Sequence, residues 1–357
     1  MFNPINLLRI CIDEKTVGRL ALAPDRRCVF EYDAGWIETG FSISPFYLPL
    51  QAGAFTARHE PFNGLFGVFN DSLPDGWGNL LVDRLLAREG VRPGSLSPLD
   101  RLSIVGNSGM GALTYHPENM QVSEAGLIDL NYLSGEVDKI LKEENSGDLE
   151  LLFRNNGSSG GARPKVMLTE NGEHWLVKFR SAHDPENIGA IEYQYSLDAK
   201  KCGIEMPETK LFEGKFFGVR RFDREETNRI HMHSASGLLN ASHRFPSLDY
   251  TDLMKATSVL TRNIEEVAKV YRLMVFNVLW GNRDDHAKNF SFLFKNGSWR
   301  FAPAYDLVPS DGFNGNHATT INGKGNPDIE DLINAATSAG FPEKRAKLIY
   351  DEISNLH

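Results

Sequence analysis

Gly281-Asn282-Arg283-Asp284-Asp285-His286-Ala287-Lys288-Asn289 is the densest polar run in this 357-residue chain, and its reading decides the fold. Upstream, Val267, Val270, Tyr271, Met274, Val278 and Leu279 recur at helical spacing, so residues 264–280 are predicted as a long apolar helix. Downstream, the apolar runs 290–294 and 299–302 flank Lys295-Asn296-Gly297-Ser298. An Asn-Gly pair readily adopts the positive φ values a tight turn requires, so this stretch reads as a hairpin. A loop held between two such rigid neighbours is well placed to carry chemistry.

The spacing within the loop names a candidate chemistry. Phosphoryl transfer requires an acceptor for a hydroxyl proton and oxygen ligands for Mg²⁺, and an Asp followed five residues later by an Asn, with a second Asp beyond, supplies them. Asp284 and Asn289 have that spacing. The hairpin should return Tyr305-Asp306 to the side of Asn289, so that an amide oxygen and a carboxylate converge as a hard cation prefers. Asp and Asn also cap turns and helices, and taken alone the spacing would be weak. Upstream residues add weight. An Asn171-Gly172 turn separates strand-like runs at 164–169 and 174–180, Lys178 falls on the second, and Glu192 falls on the helix predicted over 191–202. That is the order in which a lysine grips nucleotide phosphates and a glutamate holds the lysine.

Residues 157–165, Gly157-Ser158-Ser159-Gly160-Gly161-Ala162-Arg163-Pro164-Lys165, lead into the first of those strands. Their glycines let backbone N–H groups approach a phosphate closely. The run is neither a Walker A motif nor a G-x-G-x-x-G loop, and a flexible linker is the bland alternative. The other glycine cluster, Gly106-Asn107-Ser108-Gly109-Met110-Gly111, precedes a strand-like run and reads as a turn.

Residues 5–31 alternate short apolar runs with turn residues and read as a small antiparallel sheet, and Pro74-Asp75-Gly76 opens a helical stripe through Trp77, Leu81 and Leu85. Residues 118–156 are polar and partly helical and read as a connector. Strands at 208–213 and 216–222 and helices at 249–260 and 264–280 complete the pattern. The fold class is therefore α+β: a bilobal, protein-kinase-like fold with an N-terminal small-sheet-plus-helix module and a mainly helical C-terminal lobe. The expected divisions are 1–117, 118–156, a nucleotide-binding part at 157–223, and a helical lobe at 224–357 with the catalytic loop.

A net charge of −9 leaves no global footprint for nucleic acid, and Cys11, Cys28 and Cys202 are too scattered for a disulfide framework or a CxxC metal site. No apolar run reaches the roughly 18 residues a membrane span needs. A cytoplasmic protein with no membrane association is expected.

These motifs resemble the HipA family of kinases, the toxin components of HipA/HipB-type toxin–antitoxin systems. The resemblance rests on Ser44-Pro45-Phe46-Tyr47-Leu48-Pro49-Leu50, Phe69-Asn70-Asp71-Ser72-Leu73-Pro74-Asp75 and Gly109-Met110-Gly111-Ala112-Leu113 in the first part of the chain. In the second it rests on 159–165, Arg221-Phe222-Asp223-Arg224, His233-Ser234-Ala235, 284–289 and Tyr305-Asp306. It implies ATP and Mg²⁺ as cofactors, Asp284 as catalytic base, and Asn289 and Asp306 as metal ligands. Nucleotide contacts would come from Ser158, Ser159, Gly160, Gly161, Ala162, Lys178, the backbone of Arg220 and Phe222, His286 and Lys288. Ser158 and Ser159 are the implied autophosphorylation sites. Implied partners are a HipB-like antitoxin that bridges to operator DNA and a protein substrate of the aminoacyl-tRNA synthetase class. Only 51 residues follow Asp306, fewer than in many members.

Two other readings stand beside this one. A kinase-like binding protein would act by assembly with a DNA-binding antitoxin, and a metal-dependent hydrolase would use Asp284-Asp285-His286 without nucleotide.

Overall fold

Alternation of apolar and polar residues builds the first sheet. In β1 (Leu7–Ile12), Leu8, Ile10 and Ile12 face inward; in β2 (Lys15–Leu22), Val17 and Leu20; in β3 (Cys28–Tyr32), Cys28, Phe30 and Tyr32. With β4 (Ala54–Thr56) and β5 (Thr114–His116) they form an antiparallel sheet in the order β4-β3-β2-β1-β5. The computed structural model describes residues 4–119, 129–144, 147–156 and 161–357. The chain divides into two compact units, residues 1–190 with 208–231, and residues 191–207 with 232–357.

A second sheet in the first unit, ordered β6-β7-β9-β8, joins β6 (Lys165–Glu170) and β7 (Glu173–Lys178) with β8 (Thr209–Phe212) and β9 (Phe216–Arg220). Its first turn is Asn171-Gly172, with φ of +53° and +81°, as the sequence predicts. Trp175, Val177 and Val166 form one side of a core closed by the helix Gly76–Arg88 through Trp77, Leu81 and Leu85. The segment expected as a connector carries the helices Leu130–Leu141 and Leu149–Asn156, and Leu133, Val137, Ile140, Leu152 and Phe153 are buried in this same core. Each such side chain contributes on the order of 1.5–3 kcal/mol to holding the segment against that core.

The second unit is mainly helical, and its core centres on the helix Ile264–Leu279, with Val267, Val270, Tyr271, Met274 and Phe276 buried. Asn263 caps that helix by accepting the Glu265 N–H (3.0 Å), and Glu265 and Glu266 in its first turn oppose the helix dipole. The strands Ser291–Lys295 and Ser298–Phe301 pair with Phe292 opposite Phe301 across Asn296-Gly297, whose φ values are +53° and +74°. The α+β class and the helical second part thus agree with the sequence reading.

Candidate functional site

The polar loop begins where the long helix ends. Trp280 closes the helix, Tyr195 donates its hydroxyl to the Trp280 carbonyl, and Gly281 turns the chain with φ +69°. Asn282 N–H then returns to Asn277 O (2.9 Å), and Asn282 Nδ2 donates to Asn277 Oδ1 (3.0 Å).

The next two carboxylates face opposite ways. Asp284 is exposed, whereas Asp285 is 1% exposed. Asp285 Oδ2 accepts from Tyr250 Oη and His317 Nδ1, both at 2.9 Å, and Oδ1 accepts from Ala318 N (2.9 Å) and Thr319 N (3.2 Å). Thr319 Oγ1 donates to the Asp285 carbonyl at 2.5 Å. Burial and then the Asp285 carboxylate push the Tyr250 phenol well above its usual pKa, so it serves as a donor. Both oxygens of Asp285 are therefore committed inside the protein. It cannot join Asp284 and His286 as a metal ligand, which removes the set on which the hydrolase reading rests. Among the described residues, no group of three or more His, Cys, Asp or Glu could hold a metal ion.

Asn289 is 9% exposed, and its Nδ2 donates to the Asp284 carbonyl at 2.7 Å. That bond fixes the amide with Oδ1 as the acceptor left for a ligand. Tyr305 Oη donates to Lys288 O (2.6 Å) and takes the proton of Ser291 Oγ (2.6 Å), tying the residue before Asp306 to both sides of Asn289. Asp306 itself has φ +56°, a left-handed conformation that Asp tolerates better than most residues and that often marks a working position. His286 and Lys288 are half-buried in the same loop.

The remaining candidates lie in the first unit. Ser158, Ser159 and Gly160 fall outside the described residues. Gly161 has φ +97°, a backbone conformation that L side chains rarely adopt, and an added Cβ would stand 2.7 Å from the end of the Lys165 side chain. Its N–H donates to Asp75 Oδ2 (3.3 Å), and a Cβ on Gly76 would meet Ala162 Cα at 3.2 Å, so the end of the glycine-rich run rests on the start of the helix Gly76–Arg88. Arg163 pairs with Asp184 at 3.0 Å. Burial opposes ionisation of Asp184, but Ser181 N–H and Arg163 overcome it and hold its pKa below the usual range.

Lys178 ends β7 and lies directly opposite Lys165 of β6; both side chains are under 10% exposed. Residues paired in this way share a sheet face, so both lysine side chains leave the sheet on the same side. The Lys178 ammonium is also 5.5 Å from the Phe217 ring centre. The register of the hairpin, and not the local run 157–165, is what sets Lys165 beside Lys178.

Arg220 and Phe222 flank a buried ion cluster. Asp223 accepts from Arg221 Nε (2.9 Å) and Nη2 (2.7 Å), Arg224 Nη1 (2.8 Å) and Gly111 N (2.7 Å). Burial disfavours its charge, yet Arg221 and Arg224 hold its pKa far below the ordinary carboxylate range. Arg224 and Arg229 in turn grip the carbonyls of Gly109 and Gly111. The glycine run does turn, at Gly106-Asn107, and the carbonyls of Gly109 and Gly111 beyond it are held by arginines. Arg220 N–H donates to Glu208 O and Arg221 N–H to His174 O, both at 2.8 Å, so the backbone here is firmly set.

A family model described as the HipA N-terminal domain matches residues 8–116, and one described as the HipA-like C-terminal domain matches residues 157–357. A Sinorhizobium fredii protein provisionally named kinase Y4dM is 25% identical over an alignment of 380 residues, spanning 99% of this chain and 85% of that one. The serine/threonine-protein kinase toxin HipA of Shewanella oneidensis is 24% identical over 318 residues, or 78% of this chain and 69% of the relative. A chain from the solved complex of Shewanella oneidensis HipA, HipB and operator DNA superposes with a TM-score of 0.75 at 20% identity, covering 98% of this chain and 88% of that one.

Proposed function

The chain belongs to the HipA family, and from that premise we propose that it is a Mg-ATP-dependent serine/threonine kinase acting on a protein substrate. The observation that carries this reading is the division between two adjacent carboxylates, Asp285 buried as an anchor and Asp284 exposed beside Asn289. Asp284 accepts the proton of the substrate hydroxyl as its oxygen attacks the γ-phosphorus and the bond to the ADP oxygen breaks. Asn289 Oδ1 and the Asp306 carboxylate are hard oxygen donors of the kind Mg²⁺ takes, and these residues would hold it. When bound, the metal neutralises charge on the phosphate oxygens. On this reading Lys178 and Lys165 are assigned to the phosphates, the backbone of Arg220 and Phe222 to the adenine, and His286 and Lys288 to the phosphates as well.

Ser158 and Ser159 are the proposed sites of self-phosphorylation. A phosphate there adds about −1.5 to −2 charge and would repel the nucleotide from Gly160, Gly161 and Ala162. The proposal extends to a serine on a translation component, of the aminoacyl-tRNA synthetase class, as target, and to neutralisation by a HipB-like antitoxin that bridges to operator DNA.

Incubation of the full chain with Mg²⁺ and γ-labelled ATP tests it. Label should appear on the protein itself or on a lysate protein, and mass spectrometry should place self-label at residue 158 or 159. Self-label found only elsewhere overturns the loop assignment, and ATP hydrolysis with no protein label overturns the kinase reading.

A further inference from the structure

Two loops of the second unit pack against the loop that carries Asp284, and each displays one phenylalanine. In the first, Ser310 N–H donates to Gly281 O at 3.0 Å and Ser310 bridges Asn282. Gly312 then lies so close to Arg283 that an added Cβ would stand 2.7 Å from Arg283 Cβ and 2.2 Å from Asn316 O. The turn that follows is built from left-handed residues, Gly312 (+65°), Asn314 (+52°) and Gly315 (+74°), and Phe313 pairs with Asn316 across it. On this turn Phe313 is 82% exposed. In the second loop, residues 240–249, the His243 ring stands 6.2 Å from the His286 ring, and Phe245 is 74% exposed. The end of the second loop is pinned to the segment that follows the first, since Thr320 N donates to Leu248 O (3.0 Å) and Thr320 Oγ1 to Asp249 Oδ2 (2.8 Å).

Arg283 touches one loop and His286 the other, and Asp284 lies between them in the chain. A hydroxyl delivered to Asp284 therefore comes with neighbours that pass both loops. A single exposed aromatic is ordinary, but here two stand on loops that are both anchored to the segment carrying Asp284. On the kinase reading above, on which this inference rests, we propose that Phe313 and Phe245 select the acceptor segment: an extended stretch of a protein substrate with a large aliphatic or aromatic residue within about three positions of the serine. The occupant follows from continuity with Asp284, because both loops are anchored to residues on either side of it, Arg283 and His286.

The test uses the full chain, Mg²⁺, γ-labelled ATP and an array of serine-centred peptides in which each flanking position is fixed in turn. Wild type should prefer Phe, Leu, Ile or Met over Ser or Gly at one flanking position or more by about tenfold in kcat/KM, the scale on which apolar pockets discriminate. Phe313→Ser and Phe245→Ser, both at exposed positions, should erase that preference by raising the peptide KM, with Mg-ATP affinity unchanged, and Phe313→Leu should keep most of it. Labelling without apolar preference, or a preference that survives both serine substitutions, overturns the docking surface and leaves the kinase reading standing. If wild type binds Mg-ATP but labels neither itself nor any peptide, the kinase reading falls and the docking surface with it.

Discussion

Asp284 and Asp285 are neighbours in sequence with opposite expected responses to substitution. Asp285→Ala removes the acceptor of four hydrogen bonds, from Tyr250, His317, Ala318 and Thr319, in a site where Asp285, Tyr250 and His317 are all under 5% exposed. Each bond to a charged acceptor is worth about 1.5–3 kcal/mol, but the terms are not additive and water can enter the vacated space. Removing one partner of a buried charged network typically costs about 3–5 kcal/mol, and that is the expected loss here. Against a total stability of roughly 5–15 kcal/mol this is a large fraction, and it corresponds to a fall of roughly 6–20 °C in the unfolding midpoint of the second unit. Asp284→Ala removes an exposed carboxylate and should lower stability by much less than Asp285→Ala while abolishing phosphoryl transfer. Calorimetry of both variants with wild type is the assay. Equal midpoints for Asp285→Ala and wild type, or an equal fall in both variants, refutes the assignment of anchor and base.

Further outcomes follow from the same geometry. Lys178→Met and Lys165→Met should each remove the rise in unfolding temperature that Mg-ATP gives wild type, read by thermal shift at saturating nucleotide; a full rise in both variants contradicts a phosphate site on that sheet face. Gly161→Ala puts a methyl group against Lys165 Nζ at a φ of +97°, and should cost about 1 kcal/mol or more in denaturant titration while weakening Mg-ATP binding. For Asp223, whose folded pKa is depressed below the ordinary value of 3.8, the stabilisation is present above that value and lost as pH falls through the folded one. Asp223→Asn should therefore be less stable than wild type by about 3–5 kcal/mol at pH 7, with the gap narrowing only below pH 3.8. A gap that closes between pH 5 and 7 would assign the effect to another group.

Local features of this protein were legible and distant pairings were not. The turns at Asn171-Gly172 and Asn296-Gly297 could be read because Asn and Gly adopt positive φ at low cost, and both take it. The helix Ile264–Leu279 was legible from its apolar period, and the Asp284 to Asn289 spacing survives as one hydrogen-bonded loop. Nothing in the local pattern announces that Asp285 will be held by His317, Ala318 and Thr319, more than 30 residues on. The same holds for Asp223 with Gly111, and Gly161 with Asp75, pairs separated by 112 and 86 residues. Such partners carry no periodicity, because single polar contacts are set by how sheets and helices pack. The helices at 130–141 and 149–156 are hard to read for a related reason: their polar faces dominate the composition, while the few apolar residues decide where they pack.

The most direct measurement of the central claim combines Mg-ATP binding by calorimetric titration with transfer from γ-labelled ATP, on wild type and on Asp284→Ala. The account predicts that both proteins bind Mg-ATP with similar affinity and that only wild type transfers the phosphate to protein. Transfer by Asp284→Ala at the wild-type rate, or wild type that binds Mg-ATP and labels no protein, would contradict it.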